Sequence, residues 1–113
     1  MPIVYSAEAD AILSAGAWLG PEHHNWALTK EQAITAVGQL RDANYIILGG
    51  DVLNGPEKYY SHAYANWSYD PSSPPSAADL SSSACKASSY ISDYPVEDAY
   101  FVLVPTSTNS LAR

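Results

Sequence analysis

Asp51 and the three histidines, His23, His24 and His62, are candidate side chains for acid–base or metal chemistry in this chain. Asp51 closes an apolar run, Tyr45-Ile46-Ile47-Leu48, from which Gly49-Gly50 separate it. A carboxylate at a strand end can take a proton or hold a metal ion. The spacing argues otherwise. His23 and His24 are adjacent, so on a strand they point to opposite faces, and neither has a partner four residues on with a neighbouring Glu. No serine lies in a Gly-x-Ser-x-Gly elbow. The two glycines before Asp51 do not extend to a dinucleotide- or phosphate-binding pattern. The Asp51 carboxylate is therefore read as fixing the turn by accepting backbone N–H bonds. No catalytic set, metal or cofactor is expected. A small cytosolic enzyme using Asp51 with the histidines, or an adaptor domain that binds a peptide along an edge strand, is the alternative.

The aromatic residues after Asp51 carry a different signal. Tyr59, Tyr60, Tyr64, Trp67 and Tyr69 crowd into a short polar segment that ends at Asp70-Pro71. Tyr and Trp are enriched at protein interfaces because they bury much area at low entropic cost and keep a polar handle. They serve equally as the buried face of a sheet, and the segment supports both readings. Side chains alternate along a strand, so some of these rings should face outward. With Asp51, Glu57 and Asp70, the five rings form the expected binding surface, and Tyr59, Trp67 and Tyr69 are its expected anchors.

The elements that must position these residues follow from pattern. Ser6 can cap a short helix over residues 7–15, with Ile12 and Leu13 inward and Gly16 as its stop. Residues 18–26 read as a loop. Thr29 and Gln32 have capping-box spacing, and Ala33, Ile34, Val37 and Leu40 then recur as a helical stripe ending near Ala43-Asn44. Gly38 interrupts that helix, which close packing against another element would explain. Residues 45–48 form a short buried strand, with Asp51-Val52-Leu53 continuing it past a bulge at Gly49-Gly50. One or two more polar strands lie in 57–69, at a sheet edge, and 70–75 is a loop. Leu80, Ala84, Ala87, Ile91 and Tyr94 mark a last helix over 76–94, stopped by Pro95. Residues 99–104 are an apolar, central strand, and 106–113 a loose tail. The fold class is α+β: a small, mainly antiparallel sheet with about three helices packed on it.

Composition narrows the class of function. At 113 residues and 47% hydrophobic, one domain with one modest core is expected over 1–113. Twelve acids against five bases give a formal charge of −7. That opposes nucleic-acid binding, which rests on Lys and Arg, and suits a basic protein partner. No apolar run reaches the roughly 18 residues that span a bilayer. Residues 1–19 contain no Lys or Arg, and Glu8 and Asp10 interrupt them. They lack the pattern of a signal peptide, so the cytoplasm is expected. Cys85, the single cysteine, has no partner for an intrachain disulfide and is read as a small packing residue.

A set of fragments in order, Asn25-Trp26-Ala27-Leu28-Thr29, Ile47-Leu48-Gly49-Gly50-Asp51-Val52, Asn66-Trp67, Tyr90-Ile91-Ser92-Asp93-Tyr94 and Tyr100-Phe101-Val102-Leu103-Val104, resembles the fortieth family of immunity proteins from bacterial polymorphic-toxin systems. Leu53 stands where that pattern has an aromatic, and Ala65 where it has an acid. The resemblance, over residues 18–104, implies an α+β protein that binds a toxin domain in the cytoplasm and neutralises it without catalysis. Gly49, Gly50 and Trp26 are read as structural.

Overall fold

The computed structural model describes residues 7–19, 25–54, 61–72, 76–96 and 98–107. In chain order these form α1 (Ala7–Leu13), β1 (Ala17–Trp18), β2 (Trp26–Thr29), α2 (Lys30–Asp42), β3 (Tyr45–Asn54), β4 (Ser61–Ser68), α3 (Ala77–Asp93) and β5 (Tyr100–Ser107). The fold is α+β. Its five strands lie in the order β1-β2-β5-β3-β4, with every neighbouring pair antiparallel. The helices share one core with one face of this sheet. Leu13 of α1, Val37 and Leu40 of α2, and Ile91 of α3 meet Leu28, Ile47, Val52, Phe101 and Leu103 of the strands. No helix among the described residues is long and apolar enough to cross a membrane.

The start of α2 follows from its sequence. Gln32 N–H donates to Thr29 Oγ1 at 3.2 Å, and Thr29 N–H donates to Gln32 Oε1 at 3.0 Å. The pair satisfies two of the donors that a helix start leaves without intrahelical partners. At the other end Asn44 takes the left-handed conformation, φ 68°, which Asn tolerates better than most residues.

The buried face of α2 differs from the expected stripe. Ala33, Ala36, Val37 and Leu40 are buried, whereas Ile34 is 38% exposed. Two alanines on the buried face leave room for α3 to pack against α2. Gly38 has no such reason to be small, because a Cβ built there meets nothing within 4 Å. Close packing does not explain it. Gly38→Ala should therefore raise stability by about 1 kcal/mol, through helix propensity alone. Urea unfolding checks this, and a lower midpoint in the variant would count against an open site.

The expected loop over 18–26 takes in Trp18 of β1 and Trp26 of β2, and Trp26–Thr29 lead into the helix as strand. Two and four residues are too few to show an alternating pattern. Neighbouring backbone holds them instead: Leu28 and Thr29 pair with Phe101 and Tyr100, and the buried Asn25 side chain donates to Leu103 O at 3.1 Å. Thr106 and Ser107, expected to begin a tail, pair instead with Ile46 and Tyr45 as part of β5. Residues 108–113 lie outside the described residues. Cys85, expected to pack, is exposed on α3.

One buried acid anchors the start of α3. Asp79 is 2% exposed, and its carboxylate accepts from Tyr69 OH at 2.7 Å, Ser76 N–H at 2.8 Å, Ser72 N–H at 3.0 Å and Ser72 Oγ at 3.2 Å. These bonds favour the ionised form. The Ser76 amide, then the Tyr69 hydroxyl and the Ser72 amide, hold its pKa at about 2, below the ordinary 3.8; the same bond raises the Tyr69 hydroxyl's pKa. A carboxyl depressed in the folded state binds fewer protons there than in the unfolded chain. Its contribution is complete above the unfolded value and is lost as pH falls from about 4 towards 2. The melting-temperature gap between wild type and Asp79→Asn should accordingly narrow between pH 6 and pH 2. A gap that stays constant would show that the charge does not matter.

Candidate functional site

A single extra residue decides where Asp51 points. Against β5, Ile47 pairs with Pro105 and Gly49 with Val104, so Leu48 is an insertion in β3. Alternation along the strand shifts phase there. Tyr45 and Ile47 face the helices before the bulge, and Val52 faces them after it. In unbroken alternation Asp51 would have faced the core with Ile47. Past the bulge it lies on the opposite face. Gly49 supports the kink with φ 152°, a conformation that side chains with a Cβ rarely adopt. Gly50 lies under the Trp67 ring and beside the Val102 carbonyl, where a Cβ has no space. The Ile47 amide next to the bulge donates to Ser83 Oγ of α3 at 3.1 Å, so this buried donor is satisfied.

The register then composes the face turned away from the helices. Asp51 stands between Val102 on β5 and Asn66 on β4, and Leu53 stands opposite Tyr100. Val104 and Ser68 flank Gly49. Asn66 and Ser68 are exposed, while Asp51, Leu53, Tyr100 and Val104 are half-buried. The result is one acid set in a mostly apolar surface with polar groups at the β4 edge. Among the described residues no three His, Cys, Asp or Glu side chains gather as a metal site.

One described base reaches the edge of this face. Three Lys and Arg residues fall among the described ones, and each belongs to a helix. Lys30 Nζ donates to Tyr94 O at 2.9 Å, Arg41 Nε is 3.2 Å from Asp42 Oδ1, and Lys86 Nζ donates to Ser68 O at the sheet edge.

The two expected anchors that are described, Trp67 and Tyr69, lie on the helix side of the sheet. Trp67 is 7% exposed and stacks on Tyr90 of α3, ring centroids 4.8 Å apart. Tyr69 follows two residues later on the same side and spends its hydroxyl on Asp79. Neither ring faces outward as expected; both join the sheet to α3. Asp70, just past the end of β4, is exposed. Tyr64 and His62 are placed on β4 by backbone position only. Glu57, Tyr59, Tyr60, His23 and His24 lie outside the described residues. Trp26 is half-buried against the core, its ring 4.8 Å from that of Trp18, which is 48% exposed. Tyr100, the described aromatic beside Asp51's neighbours, was not singled out by sequence, because it opens an otherwise apolar strand.

The chain matches the model of a protein family described as Immunity protein 40 over residues 16–105, and it belongs to that family. An immunity role, with a protein toxin as the general class of partner, goes with that membership. No curated protein and no solved structure matches the chain.

Proposed function

We propose that this chain is a stoichiometric inhibitor: it binds one cognate bacterial toxin domain in the cytoplasm and blocks the toxin's active site or a surface the toxin needs. The match over residues 16–105 to an immunity-protein family carries this reading. One feature supports it. The formal charge of −7 suits a basic partner, and a nuclease toxin, whose site must attract phosphate, would present one. Asp51 and Asp70 are the described acids we assign to contact; Glu57, Tyr59, Tyr60 and Tyr64 extend the proposed surface beyond them.

Co-expression tests the reading. Each reading frame adjoining the gene is induced alone and then together with this chain. One of them should arrest growth when expressed alone, and growth should recover when the chain is present. Continued arrest by a neighbouring toxin despite abundant folded chain would overturn the proposal.

A further inference from the structure

We infer that the cognate toxin is anchored where the start of α2 meets the connection from α3 to β5, with a basic patch of the toxin closing over Ile34 and Val96 between Glu31, Asp93 and Asp98. This rests on the immunity reading above and adds an anchoring region to the surface proposed there.

The connection from α3 to β5 is tied to the start of α2 at both of its ends. Tyr94 O accepts from Lys30 Nζ at 2.9 Å, and Tyr100 pairs with Thr29. Between these two points Pro95, Val96 and Asp98 are exposed, while Ala99 is buried. On the α2 side of the junction, Thr29, Lys30, Glu31, Ile34 and Thr35 line an open groove. Leu53 also pairs with Tyr100, so β3 ends at the same end of the sheet as this junction.

Three observations make the junction a docking site. First, of the three large apolar side chains exposed among the described residues, two lie here, Ile34 at 38% and Val96 at 43%. The third, Trp18, leans on the Trp26 ring at the far end of β2. Exposed apolar side chains gathered at a groove and rimmed by charge are the anatomy of a protein interface. Second, charge selects the occupant. Glu31, Asp93 and Asp98 are exposed, and Lys30, the described base at the junction, is held against Tyr94 O. The acids outnumber it, so the junction attracts a basic surface. A second copy docked symmetrically would set the same acids against themselves. Third, one of these acids stands where folding disfavours it. Asp93 is the last residue of α3, whose last turn carries no base. The helix macrodipole makes that end negative, so an acid there costs stability. A cation brought by a partner relieves that cost, which gives Asp93 a reason in binding that it lacks in folding.

The test uses the toxin domain identified by co-expression, inactivated by substitution in its own catalytic residues, with affinity measured against full-length variants. Ile34→Arg and Val96→Arg each place a cation on the apolar part of the junction, at an exposed position. Ser81→Arg makes the same charge change at an exposed position near the start of α3 and serves as the control. The first two should each weaken binding on the order of 30-fold or more, while Ser81→Arg changes it by less than about threefold. Melting curves confirm that all three are folded. Asp93→Asn separates binding from folding: it should weaken binding about tenfold while its melting temperature stays at or above that of wild type. A lower melting temperature with unchanged affinity would make Asp93 a structural residue and overturn the charge argument. The wild-type association rate should fall as salt rises, and a flat rate would overturn the basic occupant. If wild type binds and Ile34→Arg and Val96→Arg bind as tightly as the control, the junction is wrong and the immunity reading stands. Where no neighbouring toxin is neutralised, both fall. A wild-type dimer that Val96→Arg dissociates in sedimentation would show that a second copy covers the junction, and would also overturn the inference.

Discussion

Gly50→Val should leave no folded protein. β3 lies between β5 and β4, and at Gly50 its backbone passes beneath the Trp67 indole and alongside the Val102 carbonyl. A Cβ at this position collides with both. One of the two obstacles is backbone of the sheet's middle strand, so a rotamer change cannot clear the way. Relief requires moving β5 or expelling Trp67, and either separates the strands that hold the core. Overpacking costs about 1–3 kcal/mol where side chains can adjust. Here backbone must move as well, which places the cost above about 4 kcal/mol, against a total stability of about 5–15 kcal/mol for a domain. The variant should show no cooperative thermal transition and collapsed amide dispersion in a proton–nitrogen correlation spectrum. A cooperative melt within a few degrees of wild type would mean that β3 does not run as described.

Trp67→Ala should be the most damaging truncation among the aromatics of β4 and its end. The ring is buried, covers Gly50 and stacks on Tyr90. Tyr90 in turn leans on Tyr94, and Tyr94 meets Phe101 edge-on at 5.8 Å. Removing the first ring opens a cavity at the end of this series, at a cost of about 3–5 kcal/mol. The indole Nε1 is buried with no hydrogen-bond partner among the described residues. Trp67→Phe therefore loses ring area without breaking a described hydrogen bond, and its cost should be markedly smaller than that of Trp67→Ala. Denaturant titration of the two variants separates the cases. Equal stability of Trp67→Ala and wild type would return Trp67 to the candidate interface.

The contrast between Trp67 and Asp51 shows how much of the molecule its sequence discloses. Local chemistry was readable. Thr29 and Gln32 announced the start of α2, Asn44 its end, and the apolar runs at 45–48 and 100–104 two of the inner strands, β3 and β5. The Gly49-Gly50 pair correctly signalled a bulge that the strand continues past. The phase of each strand was not readable. Which side a β4 ring faces depends on its register against β3, and insertions in β3 and β4 shift that register. Trp67 and Tyr69 consequently turn to α3, and Tyr100, far along the chain, supplies an aromatic on the other face. Asp79 escaped notice although Ser76-x-x-Asp79 has the spacing of a capping box. Its burial comes from Tyr69 and Ser72, which only the folded chain brings together. The strands β1 and β2 were too short to be seen without their partners.

Stoichiometry separates a binding inhibitor from a catalyst most directly. The chain is titrated into a fixed concentration of active toxin domain, and residual toxin activity is followed together with the heat of binding. Activity should fall linearly and vanish at one equivalent, with the calorimetric midpoint at the same ratio. Complete loss of activity at a small fraction of an equivalent, progressing with time, would contradict binding as the mechanism and point to an enzyme that modifies the toxin.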